Sequence, residues 1–220
     1  MGATLDLVRP LVDKTLERLA VRKFKEDPLL GPDLSRKTSL ASSAQRRHGH
    51  ILEAALICRL TEIERFTVWA DPLFSVSSVA DNMVNGANPE TLLSATAPYG
   101  DARRTLQVDV FAYDRDSKKL MSFEVKRGND HHDSGKKRSM LRDLVCVQVL
   151  MKSYAEQSRS LEIASAESRA IFYYGACSIG KPFSLKKDEL DAYFGEPIVA
   201  DIEEVNDYFR TNLMALLTAP

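Results

Sequence analysis

The sequence predicts an α/β domain in which helices flank a mixed β-sheet, and three kinds of segment support this prediction. Apolar residues recur every three or four positions within residues 3–25 and again between residues 56 and 63, as in amphipathic helices. Residues 106–113 and 120–128 alternate their side chains between an apolar and a more polar face, as strands of a hairpin do. Residues 170–174 form a continuous apolar run that is consistent with a buried strand.

Composition and charge are those of an ordinary globular protein. Of the 220 residues, 44% are hydrophobic and 28% are charged, and the formal net charge is −1. No apolar run reaches the length of a membrane span, and the first residues lack the apolar core of a signal peptide. The three cysteines are widely spaced within apolar segments, as buried thiols are in a reducing compartment. We therefore expect a cytoplasmic protein that does not contact a membrane.

The length predicts a single domain over residues 1–220. We expect a helical extension over residues 1–35, a core over residues 40–180 and C-terminal helices over residues 181–220. Within these parts, we expect helices near 3–25, from 40 or 43 to 63, 136–156, 185–194 and 202–217. We expect one or two strands within 66–84, broken at Asp71 and Pro72, and a loop over 85–104.

The hairpin over residues 106–128 brings two acidic residues into register. If Tyr113 pairs with Leu120, Asp109 lies directly opposite Glu124 on the face that also carries Lys126. Two carboxylates so placed, with Cβ atoms about 5 Å apart, repel each other. A divalent cation between them would convert this repulsion into chelation. The alternative is a surface hairpin that merely carries charged side chains.

The spacing of Asp109, fourteen further residues and then Glu124, Val125 and Lys126 resembles the PD-(D/E)xK nuclease superfamily. The resemblance covers roughly residues 45–177, with Val108 where the motif's name expects proline. It implies a restriction-endonuclease-like αβββαβ core, with a mixed central sheet flanked by helices and with extra N- and C-terminal helices. It also implies an Mg²⁺- or Mn²⁺-dependent nuclease that hydrolyses phosphodiester bonds of DNA, with an endonuclease favoured and a homodimer as the form that cuts both strands.

The resemblance assigns a role to each candidate site residue. Asp109 and Glu124 would hold the metal, with Glu53 and the main-chain carbonyl of Val125 in support, and Lys126 would orient the attacking water or stabilise charge on phosphate. Gln148 matches a glutamine that some of these nucleases carry on the helix after the hairpin.

Two of these assignments have structural alternatives. Glu53 lies on the apolar stripe of its helix, where an unpaired carboxylate is expensive, so an ion pair with Arg46 or Arg47 would also explain it. Gln148 lies on the apolar stripe of its own helix and could be a hydrogen-bonded core amide.

Basic residues around the hairpin are candidates for DNA binding, because clustered positive charge can bind phosphates even in a near-neutral chain. The alternative is that they are solvated surface charges. The candidates are Arg46, Arg47, Arg127, His131, Lys136, Lys137, Arg138 and Arg142.

Two other functions remain open at this stage. A protein of the same fold could bind nucleic acid or a protein partner without cutting, although all four of the site positions Glu53, Asp109, Glu124 and Lys126 are filled. Residues 175–181 match the first seven positions of a P-loop, which suggests nucleotide binding, but Pro182 stands where the Mg²⁺-binding hydroxyl is expected.

Overall fold

The computed structural model describes residues 2–128 and 133–218, and it has the predicted α/β class. One open mixed sheet of five strands and six α-helices make up the described part of the chain. The helices are α1 (Ala3–Ala20), α2 (Gly31–Thr61), α3 (Ser78–Val84), α4 (Ser134–Arg159), α5 (Leu190–Phe194) and α6 (Val199–Thr218). The strands are β1 (Phe66–Ser77), β2 (Ala102–Asp114), β3 (Lys119–Gly128), β4 (Ser165–Tyr174) and β5 (Ser184–Lys186).

The chain divides into two compact units. The helical unit comprises Met1–Arg59 with Asp191–Pro220, and the sheet unit comprises Leu60–Leu190. Residues 40–59, which the sequence analysis assigned to the core, group with the terminal helices. The reason lies in the packing of α2 on α6, where His48 is buried, bonds Asn206 at 2.9 Å and stacks on Phe209 at 5.3 Å.

The sheet has the strand order β1-β2-β3-β4-β5. The pairs β1–β2 and β2–β3 are antiparallel, whereas the pairs β3–β4 and β4–β5 are parallel. Because parallel neighbours need a crossover connection, the chain passes through α4 between β3 and β4. Among the described helices, none is long and apolar enough to cross a membrane.

Helix α4 packs on one face of this sheet and forms the main core of the sheet unit. Tyr154 of α4 stacks on Phe111 of β2 at 5.2 Å and meets Phe74 of β1 edge-on at 5.0 Å. On the opposite face of the hairpin, Val110 and Phe123 are also buried. Apolar side chains on both faces of the hairpin are therefore buried.

Several boundaries differ from the predicted ones; the helix expected over residues 185–194 begins instead as strand β5, and only Leu190–Phe194 is α-helical. Helix α2 begins at Gly31 and not at residue 40, because Pro32 occupies the first helical turn, where a missing N–H is tolerated. Strand β1 continues through Pro72 with shifts in register, since an edge strand accepts proline. Residues 78–84 form α3, whose N-terminus is capped by the Ser77 hydroxyl accepting from the Ala80 N–H at 3.2 Å.

Candidate active site

The hairpin register is the predicted one, but the pairing ends before it reaches the acidic residues. Tyr113 pairs with Leu120, and the described pairing of β2 with β3 stops at Val110 and Phe123. Beyond this point β2 stays paired with β1, while β3 stays paired with β4 as far as Gly128. Asp109 and Glu124 are thus not a cross-strand pair as predicted; they lie at the fork where the two strands separate.

Asp109 closes this fork through its side chain. Its Oδ2 accepts a hydrogen bond from the Val125 N–H at 2.9 Å, and its Oδ1 accepts one from the Gln107 side chain at 3.1 Å. The carboxylate therefore takes the place of a strand partner for Val125, the residue between Glu124 and Lys126. This bond ties the first acidic residue of the predicted motif to the acidic-x-Lys triplet.

Glu124 and Lys126 lie on the same side of β3, as alternation predicts. Lys126 Nζ is 2.5 Å from Glu124 Oε1, and about a third of each side chain is exposed. A partly solvated ammonium beside a carboxylate is available to a substrate that approaches from solvent. The structure thus brings together three of the predicted residues, Asp109, Glu124 and Lys126.

A further acidic residue, Asp143 of α4, lines the same pocket as Glu124 and was not predicted from the sequence. Arg104 Nη1 lies 2.8 Å from its carboxylate. Burial raises the pKa of Asp143 and nearby Glu124 adds to the increase, while Arg104 opposes it. The feature of the sequence that could have indicated Asp143 is its position directly before Leu144, where a long run of buried residues in α4 begins.

The pocket at the fork encloses about 250 Å³. Its apolar lining comes from β2, β3 and α4, and its polar lining includes the carboxylates of Glu124 and Asp143. Ser122 and Ser168 also belong to this lining, but their hydroxyl oxygens are buried beneath it and have no hydrogen-bond partner among the described residues.

Glu53 lies in the helical unit, on α2. Its Oε2 is 3.3 Å from Nδ1 of His50, one helical turn away, and its side chain is 20% exposed. The described contact is thus an i,i+3 pair on one helix. The predicted alternative was an ion pair with Arg46 or Arg47, whereas the described contact is a hydrogen bond between Glu53 and the imidazole of His50.

Gln148 is buried in the sheet unit and uses its amide for main-chain contacts. Its Nε2 donates to the carbonyls of Leu93 at 3.0 Å and Ala166 at 2.6 Å, and its Oε1 accepts from the Ser168 N–H at 2.6 Å. Both donor positions are occupied, which favours the core-amide alternative over a catalytic role.

Replacing Gln148 with leucine is expected to lower the free energy of unfolding by about 3 kcal/mol, because two carbonyls and one N–H lose their buried partner. Urea denaturation followed by circular dichroism measures this. Gln157→Leu, an exposed position on the same helix, is the control and is expected to change stability by less than about 0.5 kcal/mol. Unchanged stability of Gln148→Leu would contradict the structural role.

The predicted DNA-binding residues are distributed over both units. Arg46 and Arg47 lie on α2 in the helical unit. In the sheet unit, the Arg127 guanidinium lies 5.7 Å from the centre of the Tyr174 ring. Lys136, Lys137 and Arg138 are in the first turns of α4, where Lys136 and Arg138 are exposed. His131 lies outside the described residues.

Arg142 belongs to a cluster around a buried acidic residue of α3. Its Nη2 is 2.7 Å from Asp81, which also pairs with Arg104 at 3.1 Å and Arg103 at 3.5 Å. Asp81 is buried, whereas Arg103 and Arg142 are about half exposed. Arg142 is therefore held in an ion pair, and this cluster also was not predicted.

The P-loop-like segment lacks the geometry that phosphate binding needs. A P-loop leads into a helix whose N-terminal N–H groups contact the phosphates. Here Lys181 is followed by β5, and its Nζ lies 2.6 Å from Glu189 and donates to the Ser184 carbonyl at 3.0 Å. The lysine that would contact a nucleotide is thus used within the fold.

The donor set at the fork suits a small, hard cation. Carboxylate oxygens are the ligands Mg²⁺ prefers, and it commonly binds one or two carboxylates while keeping several waters. Asp109 and Glu124 would supply such a pair. Among residues 2–128 and 133–218, no three His, Cys, Asp or Glu side chains form a metal-binding group.

Comparison with protein-family models, with curated proteins and with solved structures gave no match.

Proposed function

We propose that this protein is a metal-dependent nuclease that hydrolyses phosphodiester bonds of DNA. The observation that carries the proposal is the hydrogen bond from the Val125 N–H to Asp109 Oδ2 at 2.9 Å, because it joins Asp109 to the Glu124–Lys126 triplet at one point of the fold. The order α2, β1, β2, β3, α4, β4 supports a restriction-endonuclease-like core, with α1, α5 and α6 as additions.

In the proposed site, Asp109 and Glu124 hold Mg²⁺ or Mn²⁺ with help from the Val125 carbonyl. When bound, the ion lowers the pKa of a water and polarises the phosphodiester. Asp109 is positioned for this because its hydrogen bonds to Val125 and Gln107 fix its orientation at the fork while each oxygen keeps a second lone pair.

Lys126 stabilises the negative charge that develops on phosphate. Its ammonium is 2.5 Å from Glu124 and partly exposed, so it can shift from the carboxylate to a phosphate oxygen when the strand binds. A preorganised cation of this kind acts on the transition state more strongly than on the ground state.

DNA is the proposed partner because the helix that follows the site residues of β3 in the sequence carries exposed basic side chains. Lys136 and Arg138 in the first turns of α4 are placed to contact phosphates, while the half-exposed Arg103 and Arg142 offer further positive charge. A homodimer with one site per strand is the form proposed for double-strand cleavage.

Cleavage is expected with Mg²⁺ or Mn²⁺ and is expected to stop in EDTA, because the carboxylates alone cannot activate water near neutral pH. Supercoiled plasmid and end-labelled single-stranded DNA are incubated with each ion, and Mg²⁺ binding is measured by calorimetry on the same preparation. Cleavage that persists in EDTA, or the absence of both cleavage and ion binding, would contradict the proposal. Ion binding with no cut in either DNA would retain the metal site and remove DNA as the substrate.

A further inference from the structure

A buried carboxylate of α3 holds arginines from two other elements of the sheet unit. The Asp81 side chain is only 5% exposed, and its carboxylate lies 2.7 Å from Arg142 of α4. It also lies 3.1 Å from Arg104 and 3.5 Å from Arg103, both of β2. Arg103 in addition donates to the side-chain oxygen of Asn82 at 3.2 Å. These three arginines, the arginine cluster, therefore converge on one point of the fold.

Stability alone does not explain the arginine cluster. The attraction within a buried ion pair is largely offset by the cost of taking both charges out of water. Arg104 also contacts Asp143, so the three guanidinium groups carry a charge of +3 against −2 from the two carboxylates. The surplus faces solvent, because the side chains of Arg103 and Arg142 are 54% and 44% exposed. A surplus of this kind attracts an anion.

The two more exposed arginines keep N–H groups for a ligand. A guanidinium has five N–H donors in a planar fork that matches the oxygens of a phosphate. Arg142 uses Nη2 for Asp81 and Arg103 uses Nη1 for Asn82, which leaves donors on both side chains. Because Asp81 already restricts both side chains, less conformational entropy is lost when they bind a ligand. The cluster is thus preorganised for an anion with several oxygens.

The arginine cluster adjoins the pocket that contains the proposed metal ligand Glu124. Arg104 connects the two, because its Nε lies 3.1 Å from Asp81 and its Nη1 lies 2.8 Å from Asp143. Asp143 lines the pocket together with Glu124. A nucleic-acid strand with one phosphate at Glu124 carries a further phosphate at each nucleotide on either side. A neighbouring phosphate is therefore the anion that the position of the cluster favours.

We infer that Arg103 and Arg142 bind a backbone phosphate next to the bond to be cut, and that Asp81 is the positioning residue that holds both guanidinium groups. The inference rests on the proposed function, because the ligand is the DNA strand that the site would cut. Contacts to phosphate carry no sequence information. This contact is therefore expected to strengthen the binding of every DNA sequence and to weaken as the salt concentration rises.

The first experiment measures the binding of fluorescein-labelled single-stranded DNA by fluorescence anisotropy, in EDTA and at several NaCl concentrations. Arg103→Gln and Arg142→Gln are each expected to weaken binding about fivefold at low salt. The double variant is expected to reduce the slope of the logarithm of the association constant against the logarithm of salt concentration by about 0.7, the contribution of one phosphate of a single strand. Absence of DNA binding by the wild type, or an unchanged slope in the double variant, would overturn the inference.

Arg159→Gln is the matched control. Arg159 is exposed at the C-terminal end of α4, and its guanidinium lies 4.8 Å from the centre of the Trp69 ring. The substitution removes the same charge from the same helix and is expected to leave the salt dependence of DNA binding unchanged. A reduction equal to that of Arg142→Gln would show that net charge and not the arginine cluster acts on DNA, and would overturn the inference.

Asp81→Asn separates positioning from charge. Asparagine keeps an oxygen that can accept from the arginines but removes a negative charge, so electrostatics alone would strengthen DNA binding. Positioning predicts the opposite, a loss of about threefold, because the arginines are then ordered only when DNA binds. Circular dichroism checks the fold of this variant, and tighter DNA binding by it would overturn the positioning role. The two single arginine variants, at half-exposed positions, test the contact itself if Asp81→Asn does not fold.

A second experiment separates this inference from the proposed function. Single-stranded DNA in which one linkage near the cleaved bond is a neutral methylphosphonate is incubated with Mg²⁺. At one position of this linkage the wild type is expected to cut about fivefold more slowly, whereas the double arginine variant is expected to show no such difference. Wild-type cutting that ignores the neutral linkage at every position would overturn the phosphate contact and leave the nuclease in place. No cutting of any strand, with an arginine-dependent slope in EDTA, would overturn the nuclease and leave the phosphate contact.

Discussion

Replacing Gly128 with alanine is expected to destabilise the sheet unit severely. Gly128 ends β3 opposite Tyr174 of β4, with φ of +81°, and an added Cβ would stand 1.6 Å from the Tyr174 carbonyl oxygen. That oxygen belongs to the main chain of a central strand and cannot swing away as a side chain could. We expect a loss of roughly 4 kcal/mol or more, a large part of the stability of a typical domain.

Gly86→Ala separates the steric effect from the backbone effect. Gly86 has nearly the same φ of +78°, but no atom lies within 4 Å of the position its Cβ would take. Alanine there is expected to cost only about 1–2 kcal/mol, the strain of a left-handed conformation. The two variants are compared by thermal and urea unfolding. Equal losses would show that contact with Tyr174 contributes nothing at Gly128.

The hairpin could be predicted in detail because its determinants are local. Alternation and a short polar turn fix a register, and Tyr113 does pair with Leu120. The point where β2 and β3 separate depends on their other neighbours, β1 and β4, which alternation within the hairpin does not report. For this reason the sequence predicted two directly opposed carboxylates, whereas the structure has a hydrogen bond from the Val125 N–H to Asp109.

Asp143 and Asp81 escaped prediction because their partners are distant in sequence. Asp81 pairs with Arg142, 61 residues away, and Arg104 joins Asp81 of α3 to Asp143 of α4. The spacing of apolar residues along α4 indicates which side of the helix is buried. It does not indicate which charged residues of other elements lie against that side. Gln148 illustrates the same limit, since its burial was predicted while its partners Leu93 and Ala166 came from the tertiary fold.

Asp109→Asn and Lys126→Met are each expected to reduce kcat/KM for DNA cleavage by a factor of about 10² to 10³. Asparagine keeps an oxygen that can accept from the Val125 N–H, so the fork remains closed while the metal-binding charge is lost. Methionine keeps much of the lysine stem but removes the ammonium next to Glu124. The two losses have different causes, and calorimetry with Mg²⁺ distinguishes them: Asp109→Asn is expected to abolish ion binding, whereas Lys126→Met is expected to retain it.

Asp116→Asn is the control for this pair, because Asp116 lies at the exposed tip of the same hairpin and lines no part of the pocket. It is expected to leave both cleavage and ion binding unchanged. Activity within about threefold of the wild type in Asp109→Asn would contradict a metal site at the fork, because cleavage would then not depend on the negative charge of Asp109. A nearby ammonium repels a cation, so its removal alone would strengthen ion binding. Loss of ion binding in Lys126→Met would therefore show that Lys126 holds the carboxylates in the arrangement that binds the ion.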